Sequence, residues 1–539
     1  MVGPRREGPF ANEVIVLPRR DHTNAVLLLL RTRRHGFAEL SARLTFFSAF
    51  LILTACSGEA TPSKGPAGSG GASASVGATS GVGGGGASGS GGTPLGGGGG
   101  VGPGVPDSSV DVSSGSTDGS VGEGAPVDAA ASSDAPRYTR RDAAARVDAG
   151  PPLDFRFDTT ISRVVLENYL SRSISFTELL HDDLSQPTDA RGVDPYDNMR
   201  LLLDSGVKFV GRALMIWGSE NNLSTFLARA KPFIDALHAE DPEIVLQAAA
   251  FEIVTQKVET IAVPARVFEQ FGLPVVTRNF VYQDMLYANG NQVNHWGSGA
   301  SVPDMSQLET RMWFYHLTTS YIDVGIEAIH FGQVSLMDQN DRGHVGWLDM
   351  LTRVRAYARA NARRHMVICD AHTPTGGYVE GGKLLFDAHA FPLRIAEVAG
   401  QPFKGVLKVG YADSLYTKSK GGITPSGWSC DHLPYLVEFD NFGSSSPGQS
   451  STAPFIWGWD EITWFATQSA TDRDDWLRYA SKWLHDNDPV AHLEMPGSRV
   501  LSPGAAGGPR WYWANTMSPA CPTGSNTEAI IREIWGTGP

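Results

Sequence analysis

Residues Lys208-Phe-Val-Gly-Arg-Ala-Leu-Met-Ile-Trp217 form a nearly unbroken apolar run, and the chain after it changes period. Leu223, Phe226, Leu227, Ala230, Phe233, Ile234 and Leu237 recur at helical spacing and leave one face apolar. A strand covered on both faces reads as such a run. A strand followed by an amphipathic helix is the unit of a parallel sheet with right-handed crossovers. The helical spacing returns in Trp347, Met350, Leu351, Val354, Tyr357 and in Trp476, Leu477, Tyr479, Ala480, Trp483, Leu484. Asp194-Pro195 and Thr471-Asp-Arg-Asp-Asp475 supply N-cap acceptors and acidic first turns.

Working outward, eight strands are expected. They are Ser173–Leu179, Lys208–Trp217, Val245–Val254, Ala328–Leu336, Met366–His372, Gly405–Tyr411, Tyr435–Asp440 and Phe455–Trp459. Eight strand–helix units predict an α/β fold of the (β/α)8 TIM-barrel type. The stretch from Tyr282 to Val302 is expected as a loop over the mouth. A doubly wound open sheet is the alternative, but no Gly-x-Gly-x-x-Gly follows a first strand. No cofactor is expected, and no Cys-x-x-Cys or Gly-x-Ser-x-Gly occurs.

The N-terminal third has a different composition. Ser57 to about Gly150 is Gly, Ser, Ala, Pro, Thr and Asp, with one aromatic, Tyr138. Such a chain buries too little apolar surface to offset its ordering entropy. Residues 56–150 therefore read as a flexible tether. All 13 Trp residues lie beyond it, so the folded domain is expected over 151–539. Before the tether, Arg31-Thr-Arg-Arg-His35 precedes the apolar run Leu44–Leu53, the layout of a secretory signal over residues 1–55. The run is shorter than the roughly 20 residues that span a bilayer. The residues before Arg31 fit no signal and suggest an over-extended start.

Leu53-Thr-Ala-Cys56 resembles the bacterial lipobox. The resemblance implies lipidation at Cys56 and a membrane anchor in the bacterial cell envelope, facing the periplasm or the exterior. Cys369 sits in an apolar run and reads as a buried thiol. Cys430 and Cys521 lie in loop-like segments, and their pairing is left open by the sequence. The formal net charge of −13 argues against a nucleic-acid partner. A monomer is expected.

Barrel enzymes carry their chemistry where strands end. Those positions hold Glu178, Glu220, Glu252, Gln333, Asp370, His372, Asp413, Glu438, Asp440, Asp460 and Glu461. Alternation places Glu438 with Asp440, Asp370 with His372, and Glu252 with Leu246, Ala248 and Ala250 on the lumen side. Paired carboxyls are what glycosidic cleavage needs: one protonates the leaving oxygen, and the other attacks the sugar or activates water. Trp217, Trp296, Trp457, Trp459 and Trp464 would offer flat platforms for sugar rings.

At these residues Ile161 to about Asn487 resembles the (β/α)8 glycoside hydrolase superfamily, chiefly through Glu438 at the end of the seventh predicted strand. The run His330-Phe-Gly-Gln333 departs from it, with no Asn-Glu pair at the fourth strand end. The resemblance implies a carbohydrate substrate, Glu438 as nucleophile or base, and Glu252 or Asp460 as proton donor. Asp440, Gln333, His372, Asp370, Glu461 and the tryptophans would bind sugar. Two alternatives stand beside it: a non-catalytic glycan-binding lipoprotein, and a metal-assisted isomerase or hydrolase using Asp370 and His372.

Overall fold

The computed structural model describes residues 153–185, 191–502 and 511–536. The signal segment, Cys56 and the tether lie outside the described residues. Seven parallel strands follow one another in sequence order: β1 (Ser173–Phe176), β2 (Phe209–Met215), β3 (Val245–Ala249), β4 (Ala328–Gln333), β5 (Ile368–His372), β6 (Ala388–Pro392) and β7 (Tyr435–Glu438). Then β8 (Ala491–Leu493) pairs with β7, Leu493 opposite Val437. The next segment, β9 (Met495–Val500), pairs in parallel with β1, Met495 opposite Ile174. Glu494 is the one residue between them. The eighth position therefore bridges both edges and closes the sheet into the expected barrel. One antiparallel strand, β10 (Trp511–Trp513), extends it at β9.

Two predicted strands are corrected. Of Gly405–Tyr411 only Gly405–Val406 pairs, antiparallel with Ala396–Glu397 and outside the barrel. Phe455–Trp459 is a turn closed by backbone hydrogen bonds between Ile456 and Trp459. Their places are taken by β6 and by β8–β9. Both displaced runs are apolar because Leu407, Trp457 and Trp459 sit in the core, which packing in a loop achieves as well as a strand does. The true sixth strand, Ala388-His-Ala-Phe-Pro392, is short and ends in proline. No α-helix lies between β5 and β6 or between β6 and β7, so no change of period frames it. The barrel also runs beyond Asn487, where the resemblance stopped.

Alternation sorts each strand between two cores. Phe209, Val245, Ala328, Ile368, Ala388 and Leu436 pack inside the barrel at its N-terminal end. Helix α1 (Arg163–Leu170) plugs that end with Val165, Leu166, Tyr169 and Leu170. Ser162 caps it, its Oγ accepting from Val165 N at 3.3 Å. The neighbouring strand residues Val210, Leu246, Ile329, Cys369 and Val437 face outward. There they meet the helices α2 (Pro195–Ser205), α3 (Leu223–Glu240), α4 (Leu308–Asp323), α5 (Val345–Asn361), α6 (Glu461–Thr467) and α7 (Ala470–Asn487). Ser469 caps α7, and the three helices read from spacing fall where expected.

The phase of β3 is the reverse of the prediction. Leu246, Ala248 and Ala250 lie in the outer core, and Gln247 faces the lumen. Alanine fits either face, so a one-residue slip in reading the phase turns the whole strand. The insert before α4 reaches the mouth, where Trp296 Nε1 donates to Glu252 O at 2.9 Å. Cys369, Cys430 and Cys521 are free thiols, so the open pairing of Cys430 with Cys521 is not made. Among the described residues no helix is long and apolar enough to cross a membrane.

Candidate active site

Above the apolar floor the barrel interior turns polar. From β3, Gln247 donates through Nε2 to Asp370 Oδ1 at 2.6 Å. From β4, His330 Nδ1 lies 2.8 Å from the other oxygen of Asp370. Arg212 interrupts β2 with φ of 55°, where the pairing with β3 slips, and its backbone N–H donates to Gln247 Oε1 at 3.0 Å. That bulge turns its guanidinium inward. Nη2 pairs with Glu438 Oε1 and lies 3.2 Å from His372 Nε2 and 3.4 Å from His330 Nε2. His372 Nε2 is itself 3.2 Å from Glu438 Oε1.

From β9, Arg499 places Nη1 3.4 Å from Glu438 Oε2 and Nη2 3.4 Å from Asp440 Oδ1. Among the described residues Glu438 Oε2 accepts no hydrogen bond. Glu494, at the junction of β8 and β9, accepts from Ser173 Oγ at 3.3 Å. Its carboxyl lies against the backbone of Gly211, where any Cβ would overlap Oε1.

Two guanidiniums thus serve four carboxyls, Glu438, Glu494, Asp370 and Asp440. Burial by itself would raise Glu438, but Arg212 and Arg499 hold it well below the usual carboxylate range. Burial and the charge of Glu438 push Glu494 up to about 8. Burial also pushes Asp370 up to about 8, against the pull of Arg212 and His372. Burial and the cation of Arg212 keep His330 neutral, well below its ordinary value. An ionised carboxylate therefore stands among carboxyls that keep their protons near neutrality. Such a division separates bases from acids in active sites.

The rim carries the other predicted residues. Glu252 is 3% exposed, and its two oxygens accept from Gln333 N at 2.8 Å and Gln333 Nε2 at 3.0 Å. Gly332, with φ of 59°, leaves the space that the Glu252 carboxyl fills. Trp217 is 43% exposed and meets Trp296 and Phe251 edge-on, with centroids 5.1 and 5.5 Å apart. Glu220 clamps Thr255 through N and Oγ1, both at 2.7 Å, and Asp413 pairs with Arg394 at 2.5 Å.

The residues of the last predicted strand do not join this group. Asp460 caps α6, accepting from Thr463 N, Gly443 N and Ser502 Oγ, and burial raises it to about 6. Glu461 ties β6 to β7, accepting from the backbone N–H of Leu393, Arg394 and Asp440. Burial, with Asp440 nearby, pushes it up to about 8 despite Arg394. Trp457, Trp459 and Trp464 are buried in the core, with Trp457 Nε1 on Lys404 O and Trp464 Nε1 on Phe403 O. As core side chains they present no platform to a sugar.

A metal at Asp370 and His372 meets a different obstacle. The guanidinium of Arg212 occupies the space between His372 and His330, so a cation already sits among these donors. Among the described residues no three His, Cys, Asp or Glu side chains are grouped to hold a metal ion.

Arg212, Gln247, Arg499 and Glu494 were missed from the sequence. Arg212 left a trace: a charge inside a buried apolar strand is costly unless paired. Gln247 was hidden by the phase error. Glu494 and Arg499 lie on a strand that no period change marks.

No protein-family model and no curated protein matches the sequence. Solved structures give distant likenesses. The glycoside hydrolase domain of PelA from Pseudomonas aeruginosa is 11% identical, over 55% of this chain and 90% of that one, with a TM-score of 0.24. Endo-glycoceramidase II from Rhodococcus sp. is 10% identical, over 67% of this chain and 77% of that one, with a TM-score of 0.31. An isomalto-dextranase of Arthrobacter globiformis T6 is 10% identical over 65% and 50%, with a TM-score of 0.27. Likenesses of this depth assign neither a family nor a reaction to this chain.

Proposed function

We propose that the domain hydrolyses O-glycosidic bonds of a poly- or oligosaccharide at the C-terminal mouth of the barrel. The observation that carries this reading is Glu438, a carboxylate held ionised by two buried arginines, with one oxygen that accepts no hydrogen bond among the described residues, among carboxyls that retain protons. Glu438 is the nucleophile or base. Glu252, at the rim beside Trp296, is the proton donor in preference to Asp460, which caps α6 apart from the lumen group. Water supplies hydroxyl to the anomeric carbon and gives its remaining proton to the carboxylate acting as base, while the leaving oxygen takes the donor's proton. Asp440, His372 and Gln333 bind hydroxyls, and Trp217 with Trp296 forms the stacking rim. Cys56 anchors the enzyme by lipid to the bacterial envelope, and the tether holds the barrel away from the membrane.

The test is a hydrolysis screen of the full-length protein against soluble polysaccharides, beside Glu438→Gln and Glu252→Gln. Release of reducing ends by the wild type alone is expected. Equal release by a folded Glu438→Gln variant overturns the assignment. A glycan-binding protein without turnover is the second reading, favoured by the burial of Glu438 at 1% exposure. Binding without release of reducing ends would select it.

A further inference from the structure

A cleft of about 390 Å3 opens between the loops that follow β4 and β5. Its walls include Ser335, Asp338, His344, Thr375, Tyr378 and Lys420. The volume falls within the roughly 300–1,000 Å3 of small-molecule sites. Both loops leave the C-terminal ends of their strands, so the cleft shares the face of the lumen site. Ser335 lies two residues beyond Gln333, whose side chain holds Glu252.

The cleft is internally ordered. His344 Nδ1 is 2.8 Å from Asp338 Oδ1. Its ring stacks on Tyr378 with centroids 4.0 Å apart and planes at 12°. Its Nε2 is 3.7 Å from Glu380. A carboxylate on one nitrogen and a phenol ring beneath fix the imidazole far more firmly than a free surface histidine. Burial raises the Asp338 carboxyl against the pull of His344. Around the ring, Ser335 and Thr375 offer hydroxyls. Lys420 is exposed, and its Nζ donates to Gly377 O at 3.2 Å. Donors and acceptors of both signs surround a flat ring pair, and neither sign dominates. That combination suits a pyranose, whose C–H face covers a ring while its hydroxyl edges give and take hydrogen bonds.

We propose that this cleft is a distal subsite for neutral sugar units of the glycan chain cleaved at the lumen site. The cleavage part rests on the hydrolase reading, and binding in the cleft does not. The full-length protein in detergent is run through gels holding dextran, laminarin, xylan or hydroxyethylcellulose, with chitosan as a charged comparison. Thr375→Trp fills the cleft from its rim, His344→Asn removes the ring while tolerating the left-handed backbone, and Lys420→Ala alters an exposed side chain.

At least one neutral glycan should retard the wild type, and the variants should lose about fivefold or more of that affinity. Where a glycan is cleaved, KM should fall with oligosaccharide length in the wild type, and this dependence should vanish in the variants. No retardation of the wild type by any neutral glycan, or equal retardation of all four proteins, overturns the proposal. Retardation lost in the variants without hydrolysis by the wild type upholds the cleft and sinks the hydrolase reading. Hydrolysis with unaltered retardation does the reverse.

Discussion

Replacing Glu438 by Gln should cost stability as well as turnover. The carboxylate faces Arg212 on one oxygen and Arg499 at 3.4 Å on the other, and all three side chains are almost fully buried. Gln keeps the shape and one acceptor for Arg212, but it presents an NH2 group to Arg499 and leaves two buried cations with less charge against them. Removing one partner of a buried pair typically costs about 3–5 kcal/mol. Relief comes from Glu494. Burial and the negative charge of Glu438 hold its pKa up, so without that charge the pKa falls and Glu494 gives up its proton more readily. The arginines then regain a partner, and a net loss of about 2–4 kcal/mol is expected at pH 7.

In a domain of this size that is a fall in Tm on the order of 5 °C. The deficit should shrink between pH 5 and 8, as Glu494 gives up its proton more completely. Differential scanning calorimetry of the wild type and Glu438→Gln at pH 5, 6.5 and 8 reads both effects. An unchanged Tm across that range refutes the buried ion-pair reasoning, whatever happens to activity.

Gly211→Ala should destabilise by about 1–3 kcal/mol, because the new methyl overlaps the Glu494 carboxyl in a lumen with no room to yield; a urea midpoint equal to the wild type contradicts it. Asp370 is raised in the folded state to about 8 from an ordinary 3.8, so its stabilising contribution is fully present below about pH 4 and is lost as pH rises through 8. Urea midpoints between pH 4 and 8 should therefore fall less steeply in Asp370→Asn than in the wild type. Trp464→Ala should cost about 3–5 kcal/mol, as a buried core ring does. Trp217→Ala, at the exposed rim, should cost under about 1.5 kcal/mol of stability. It should also weaken binding of the cleaved glycan in the same gels, and the reverse order of stability costs would show the two tryptophans misplaced.

Much of the barrel was legible. Six of the predicted strands coincide with observed ones because each is a mostly apolar run. Ala388–Pro392 was not legible, since a five-residue strand flanked by irregular loops has no period of its own. Phe455–Trp459 misled because large aromatics signal burial, and burial occurs in turns as well as in strands. In the candidate site, the pairing of Asp370 with His372 and of Glu438 with Asp440 on one side followed from alternation. Gln247 did not, because Leu246-Gln-Ala-Ala249 offers too few distinctive residues to settle the phase.

The sequence by itself determined the class of fold, the change of composition near residue 150, and which strands end in acids. Those are local properties, carried by periodicity, charge and turn residues within a few positions of one another. Only the tertiary structure decided what the acids do. Arg212 and Glu438 are 226 residues apart, and Arg499 belongs to a strand recognised only by its pairing with β1. Their convergence depends on register and closure of the barrel, which involve every strand at once. The same closure buries Asp370 and Glu494 enough to keep their protons, seats Asp460 at a helix end, and hides Trp457 and Trp459 in the core. Desolvation is a property of the assembled lumen, so the ionisation that separates base from acid had no signature in any stretch of chain.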